Sequence, residues 1–125
     1  MADLSRHINR HLDMDWMAVS SYGSGTKSSG VVRILKDLDK DITGRNVLIV
    51  EDIVDTGATM LEILQRVDTR MPAEIKIVTL VHRKGSKHHV DFTAFEIEDE
   101  WVVGYGFDDN GLKRNYRNIY NIKKQ

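Results

Sequence analysis

The sequence contains no cysteine, so neither disulfides nor thiolate chemistry contributes to its stability or function, and its composition suits the reducing cytoplasm. No apolar run reaches the length of a membrane-spanning helix and no signal peptide is recognisable. A cytoplasmic protein without a membrane partner is therefore expected. An excess of charge of one sign is missing as well. A formal net charge of -1 provides no global field for nucleic acid, which is not expected as a partner, and leaves basic character to local clusters such as Arg83, Lys84 and Lys87. Neither a Walker-type lysine loop nor a G-x-G-x-x-G run occurs, which sets aside the common nucleotide-binding patterns. Internal repeats and low-complexity domains are also absent. What remains is 125 residues, 41% hydrophobic and 30% charged, the balance of one folded domain with no sign of disorder, although small for an α/β enzyme.

The stretch from Val47 to Thr59, Val-Leu-Ile-Val-Glu-Asp-Ile-Val-Asp-Thr-Gly-Ala-Thr, organises the chain. Four consecutive β-prone apolar residues read as a strand buried on both faces, and Glu51 and Asp52 stand where it would emerge from a parallel sheet. Asp55 to Thr59 supplies small residues, hydroxyls and a backbone able to turn tightly. Met60, Leu61, Leu64 and Val67 then recur at helical spacing. A strand, loop and helix in this order aim free N–H groups and the positive end of a helix dipole at one point, which suits a phosphate. Two carboxylates just before such a cup would repel phosphate oxygens, so they fit ribose hydroxyls or a bridging divalent cation. A sugar phosphate satisfies both halves.

The chain opens with a short amphipathic helix carrying Leu4 and Ile8, followed by a strand at Trp16 to Ser20. Ser20 to Gly30, rich in glycine and serine, is expected to be a mobile flap over a site. Val31 to Leu35 reads as an antiparallel strand. Beyond the helix, the only proline, Pro72, marks a break before a second buried strand at Ile75 to Val81. His82 to His89 is basic and polar, and the adjacent His88 and His89 would point apart on an extended chain, so a solvated loop is expected there rather than a metal site. Phe92 to Ile97 is a third strand with Phe92 and Phe95 as core candidates, and Trp101 to Phe107 a further extended segment. Asn110-Gly111 is a tight-turn dipeptide. Strands alternating with helices indicate an α/β fold with a mostly parallel sheet flanked by helices.

The organising stretch resembles the phosphoribosyl-pyrophosphate (PRPP) signature of type I phosphoribosyltransferases, with every position of the pattern filled. Phe92 to Asp108, with its Phe-Glu-Ile, Asp-Glu-Trp and Val-Val-Gly-Tyr-Gly-Phe-Asp elements, and Ser20-Ser21-Tyr22 with the flap, resemble hypoxanthine-guanine phosphoribosyltransferases. The resemblance covers nearly the whole chain and implies a single phosphoribosyltransferase-like domain over residues 1–125 with that family's Rossmann-like fold. It also implies purine salvage, the transfer of ribose 5-phosphate from PRPP to N9 of a 6-oxopurine, giving IMP or GMP and pyrophosphate with Mg2+ as cofactor. By the same resemblance Asp55 takes the purine proton and Thr56, Gly57, Ala58 and Thr59 hold the 5-phosphate. Glu51 and Asp52 lie by the ribose hydroxyls and their metal, and Asp108 is a magnesium ligand near the purine. Trp101 stacks on the base, Val102 reads its edge through the backbone, and Arg114 contacts pyrophosphate, while Ser21 and Tyr22 belong to the PRPP site. The 6-oxo donor, a lysine in the family, falls at Arg83 with Lys84 beside it, and either fits.

The resemblance also implies a departure. The family has a strand and a Lys-Gly pyrophosphate loop ahead of the helix matched by Met1 to Ile8, and this chain has neither, so it reads as N-terminally short. That strand would lie inside the sheet, between the segments 16–20 and 47–50. Its loss would leave unpaired backbone groups unless the chain is a fragment or another chain supplies the strand. A homo-oligomer or an aggregation-prone chain is expected. The competing readings are a non-catalytic or regulatory PRPP- or nucleotide-binding protein of the same fold, and a plain Rossmann-like binding module.

Overall fold

A computed structural model describes residues 1–21 and 32–122, with only the backbone at Ser21. Tyr22, the rest of the expected flap, Val31, Lys123 and Lys124 lie outside the described residues. In chain order the elements are α1 (Ala2–His7), β1 (Ala18–Ser21), β2 (Val32–Lys36), β3 (Asn46–Val54), α2 (Ala58–Asp68), β4 (Glu74–Arg83), β5 (Phe92–Ile97), β6 (Trp101–Val103) and β7 (Tyr120–Ile122).

The β-branched runs of β3 and β4 pair in parallel, which requires a crossover, and α2 provides it. The register runs from Asn46 opposite Glu74 to Val54 opposite His82. β5 joins the other side of β4, also in parallel, from Val78 opposite Phe92 to Arg83 opposite Ile97. Residues 84–91 return the chain for that pairing. Asp91 closes the return, its N–H donating to the Ile77 carbonyl at 3.0 Å and its Oδ2 accepting from the Ile77 N–H at 2.8 Å.

Helix α2 buries Met60, Ile63 and Val67 against the sheet, the i, i+3, i+7 stripe of an amphipathic helix. Ile63 and Val67 pack with Ile42, and Met60 with Val54 and Ile77. Leu61, expected on this face, points outward at 46% exposure, and Ile63 takes its place. Asp37 accepts hydrogen bonds from Arg66 at 2.9 and 2.6 Å and lies 2.9 Å from Arg70, which ties the turn after β2 to the end of α2.

Three further expectations change. β3 alternates between half-buried and exposed residues over most of its length rather than being buried on both faces. Leu48 stays exposed beside the equally exposed Lys76 because α2 does not cover that side. Phe92 and Phe95 are 57% and 58% exposed. They stand three apart on an outer strand, so their side chains leave opposite faces and could not both have entered one core. The extended segment from Trp101 ends at Val103, where the chain doubles back with the Gly104 N–H bonded to the Phe107 carbonyl at 2.9 Å. β6 then pairs antiparallel with β7, and Val103 and Phe107 are buried. The expected turn is present, with positive φ at both Asn110 and Gly111.

The expected seam is also present. β1 and β2 form their own antiparallel pair, and among the described residues β3 pairs only with β4. Val47 and Ile49 of β3 border a cavity of about 230 Å³ that Trp16, Met17, Val19 and Ile63 also line. Ile63 therefore supports both the core and the seam. Ile63→Val should cost ~0.5–1.5 kcal/mol and Ile63→Ala ~2–5 kcal/mol, measured by urea unfolding.

Candidate functional site

The carboxyl ends of parallel strands are where open α/β sheets present ligand crevices. Here a cleft of about 260 Å³ at the end of β3 is bordered by Glu51, Asp52, Asp55, Thr56, Gly57 and Thr59. Gly57 is the N-cap of α2 with φ 86°, the left-handed region that favours glycine, and no side-chain bond caps the helix start. The first-turn N–H groups of an eleven-residue helix therefore remain available, and the dipole adds positive potential.

Gly57 is required for a second reason. A Cβ there would overlap the ring of His88, which lies half-buried against the loop. The return from β4 to β5 was expected to be solvated. It instead rests on the cup, anchored by Val90 against the Val54, Met60 and Ile77 cluster. Sequence reasoning missed this contact because it joins residues on two loops far apart in the chain.

Within the cleft the two acids differ. Burial, with the neighbouring Asp52 charge, pushes the Glu51 carboxyl up to about 7. Asp52 is exposed and its Oδ1 accepts the Ile53 N–H at 2.8 Å. Both are hard oxygen donors, suited to Mg2+. Among the described residues no three histidine, cysteine or acidic side chains converge on one point. The donor set thus fits a cation that keeps water and substrate oxygens in its shell rather than one caged by protein alone.

The strand register sets the next contact. With Val54 opposite His82, the following residues Asp55 and Arg83 become neighbours, and Arg83 Nε lies 3.0 Å from Asp55 Oδ1. Arg83 also donates to the Glu98 carbonyl and, at 3.4 Å, to the Glu100 carbonyl, just before Trp101. Lys84 is more exposed and is engaged by Glu98 at 2.9 Å, whose carboxylate raises the lysine's pKa. Trp101 opens β6 at 41% exposure, with Val102 half-buried after it. Asp108 and Arg114 form a separate pair at 2.8 Å. Asp108 also accepts the Gly111 N–H at 2.7 Å, and Arg114 donates to the Gly106 carbonyl at 2.7 Å. The structure therefore gathers Glu51, Asp52 and Asp55 to Thr59 at one cleft, joins Arg83 to Asp55, and leaves Asp108 with Arg114. Ser21 ends β1, and Tyr22 is outside the described residues.

The family model of the phosphoribosyl transferase domain matches residues 1–110. The chain belongs to the phosphoribosyltransferase family. Within it, this phosphoribosyltransferase chain is 47% identical over 122 residues to a hypoxanthine-guanine phosphoribosyltransferase of Streptococcus pneumoniae, and 48% identical over 122 residues to that of Bacillus subtilis. Each alignment covers 95% of this chain and 66% of the relative, so the chain spans just under two thirds of their length. The crystal structure of a hypoxanthine phosphoribosyltransferase from Staphylococcus aureus superposes with a TM-score of 0.91 at 40% identity, over 98% of this chain and 68% of that one. The α/β architecture with its parallel three-stranded sheet is that of the type I phosphoribosyltransferases.

The raised Glu51 value has a defined consequence for stability. The folded protein holds this proton up to about 7 whereas an ordinary glutamate releases it near 4.5, so stability falls as pH rises through that window. Glu51→Gln should remove this dependence. In thermal melts at about pH 5 and about pH 8, its gain in Tm over the parent should be larger at the higher pH.

Proposed function

We propose that this chain provides the PRPP- and purine-binding part of a hypoxanthine-guanine phosphoribosyltransferase, transferring ribose 5-phosphate from PRPP to a 6-oxopurine. The observation that supports it most is the union of an uncapped helix start, two acids and the Asp55–Arg83 pair at one strand end. The names of its curated relatives support the same reading.

In this reading the N–H groups from Thr56 to Thr59 and the hydroxyls of Thr56 and Thr59 hold the 5-phosphate. Glu51 and Asp52 receive the ribose hydroxyls. Glu51 and Asp52 on one side, and Asp108 separately on the other, would each offer oxygens to Mg2+, which when bound neutralises charge on the departing pyrophosphate. Arg114, held against Asp108, contacts the pyrophosphate, and Ser21 and Tyr22 complete the PRPP side. On the purine side Trp101 stacks on the ring and Val102 meets its edge through the backbone. Arg83 keeps further N–H donors for the 6-oxo oxygen, whereas Lys84 is more exposed and engaged by Glu98, so we assign the contact to Arg83. The bond from the ribose anomeric carbon to pyrophosphate breaks, the bond to N9 forms, and the ring-nitrogen proton passes to Asp55.

The edge of β3 that stays unpaired among the described residues leads us to propose self-association as well, since unpaired strand edges are templates for pairing. Sedimentation velocity over a range of concentrations should show dimers or larger species, and a monomer throughout would refute this. For the chemistry, Asp55→Asn preserves the shape of the cup but cannot accept a proton. Turnover of hypoxanthine should fall ~10²- to 10⁴-fold while PRPP affinity by calorimetry changes little. Near-normal turnover would remove Asp55 from the role.

A further inference from the structure

Arg83 is the point where three segments of the site meet. Its guanidinium is a rigid planar fork whose donors diverge in fixed directions. One donor faces Asp55 on the loop leaving β3, at 3.0 Å, and two more reach the carbonyls of Glu98 and Glu100 in the turn between β5 and β6. The side chain is only 21% exposed, and the same turn is stitched to the end of β4 by Lys84, whose N–H donates to the Ile97 carbonyl at 2.8 Å. Within the turn, the Glu98 N–H donates to the Glu100 carboxylate at 2.5 Å. Trp101 follows Glu100 directly, so the backbone that launches the indole is held by the arginine that also holds Asp55.

We infer that Arg83 is a positioning residue that sets the Trp101 platform and the Asp55 carboxylate relative to one another, apart from any contact of its own with the purine. Two bonds to carbonyls and one to a carboxylate, made by a single planar group, determine both a distance and an orientation between the segments. An ammonium group on a flexible stem lacks that fork. The consequence is a division of labour: the 5-phosphate cup is built on the backbone of β3 and α2, with His88 packed beside it, whereas the purine side depends on a side chain from β4. The inference rests on the proposed role of Trp101 as the surface that stacks on the base.

The test uses the full chain with Trp16→Phe, which leaves Trp101 as its one tryptophan. Arg83→Lys keeps a cation near Asp55 without the fork, and Arg83→Met removes both. Time-resolved anisotropy of Trp101, without ligand, should gain a fast local component in both variants. The purine KM should rise on the order of tenfold while the KM for PRPP stays within about twofold, since a lost or misplaced stacking platform is worth about that much. Should Arg83→Met fail to fold, Arg83→Lys and Arg83→Gln carry the same measurements. Unchanged Trp101 motion, or freer motion with an unchanged purine KM, overturns the inference. A parent chain that turns over no purine would sink the transferase reading alone, and Trp101 motion would still decide the clamp.

Discussion

The parallel hydrogen-bond register between β3 and β4 places Val54 opposite His82, and from that one alignment the rest of the site follows. Asp55 and Arg83 become neighbours because each is the next residue toward the carboxyl end of the sheet. A slip of one residue would turn the side chains of β3 to the other face and separate the pair. The register is held by Ile49 opposite Ile77 and Ile53 opposite Val81, while α2 packs over Ile77 through Met60. Core packing and site geometry are therefore the same constraint seen from two ends of the strands.

The cup combines two electrostatic environments within a few residues. The start of α2 offers unclaimed N–H groups and a positive dipole end, which favour an anion. Immediately before it, Glu51 is buried enough that its proton is retained to about 7, so one carboxylate of the acidic pair carries less charge than its chemistry alone would give. Repulsion between that pair and a phosphate is thereby reduced, and a cation that binds the ionised Glu51 carboxylate would bind more tightly as pH rises through about 7. His88 packs against Gly57, so the loop that borders the cleft is also held by a packed ring.

The side that we propose for the purine is assembled differently. Trp101 and Val102 belong to a small antiparallel pair with its own buried residues, Val103 and Phe107, and its own Asp108–Arg114 contact. The turn leading into it is tied to the parallel sheet through Arg83 and through Lys84 with Glu98. Those links come from long side chains with freedom to be lost, whereas the cup is built on backbone geometry. Substitutions in the two halves should therefore differ in character even where they cost the same.

Much of this was legible in residue order. The run from Val47 to Thr59 specified strand, cup and helix because β-branched residues, a left-handed glycine and small hydroxyl residues act locally, within a few positions of one another. Asn110-Gly111 specified its turn for the same reason. The seam beside β3 was legible too, from the family pattern the chain resembles. Tertiary structure alone decided that Ile63 rather than Leu61 faces the core, that Phe92 and Phe95 stay outside, that His88 covers Gly57, and that Arg83 joins Asp55 to the turn before Trp101. Each of these depends on which face of an element meets a partner, or on contact between loops distant in the chain. Local chemistry sets the elements and the cup, and strand register, which no single segment encodes, decides which side chains meet there.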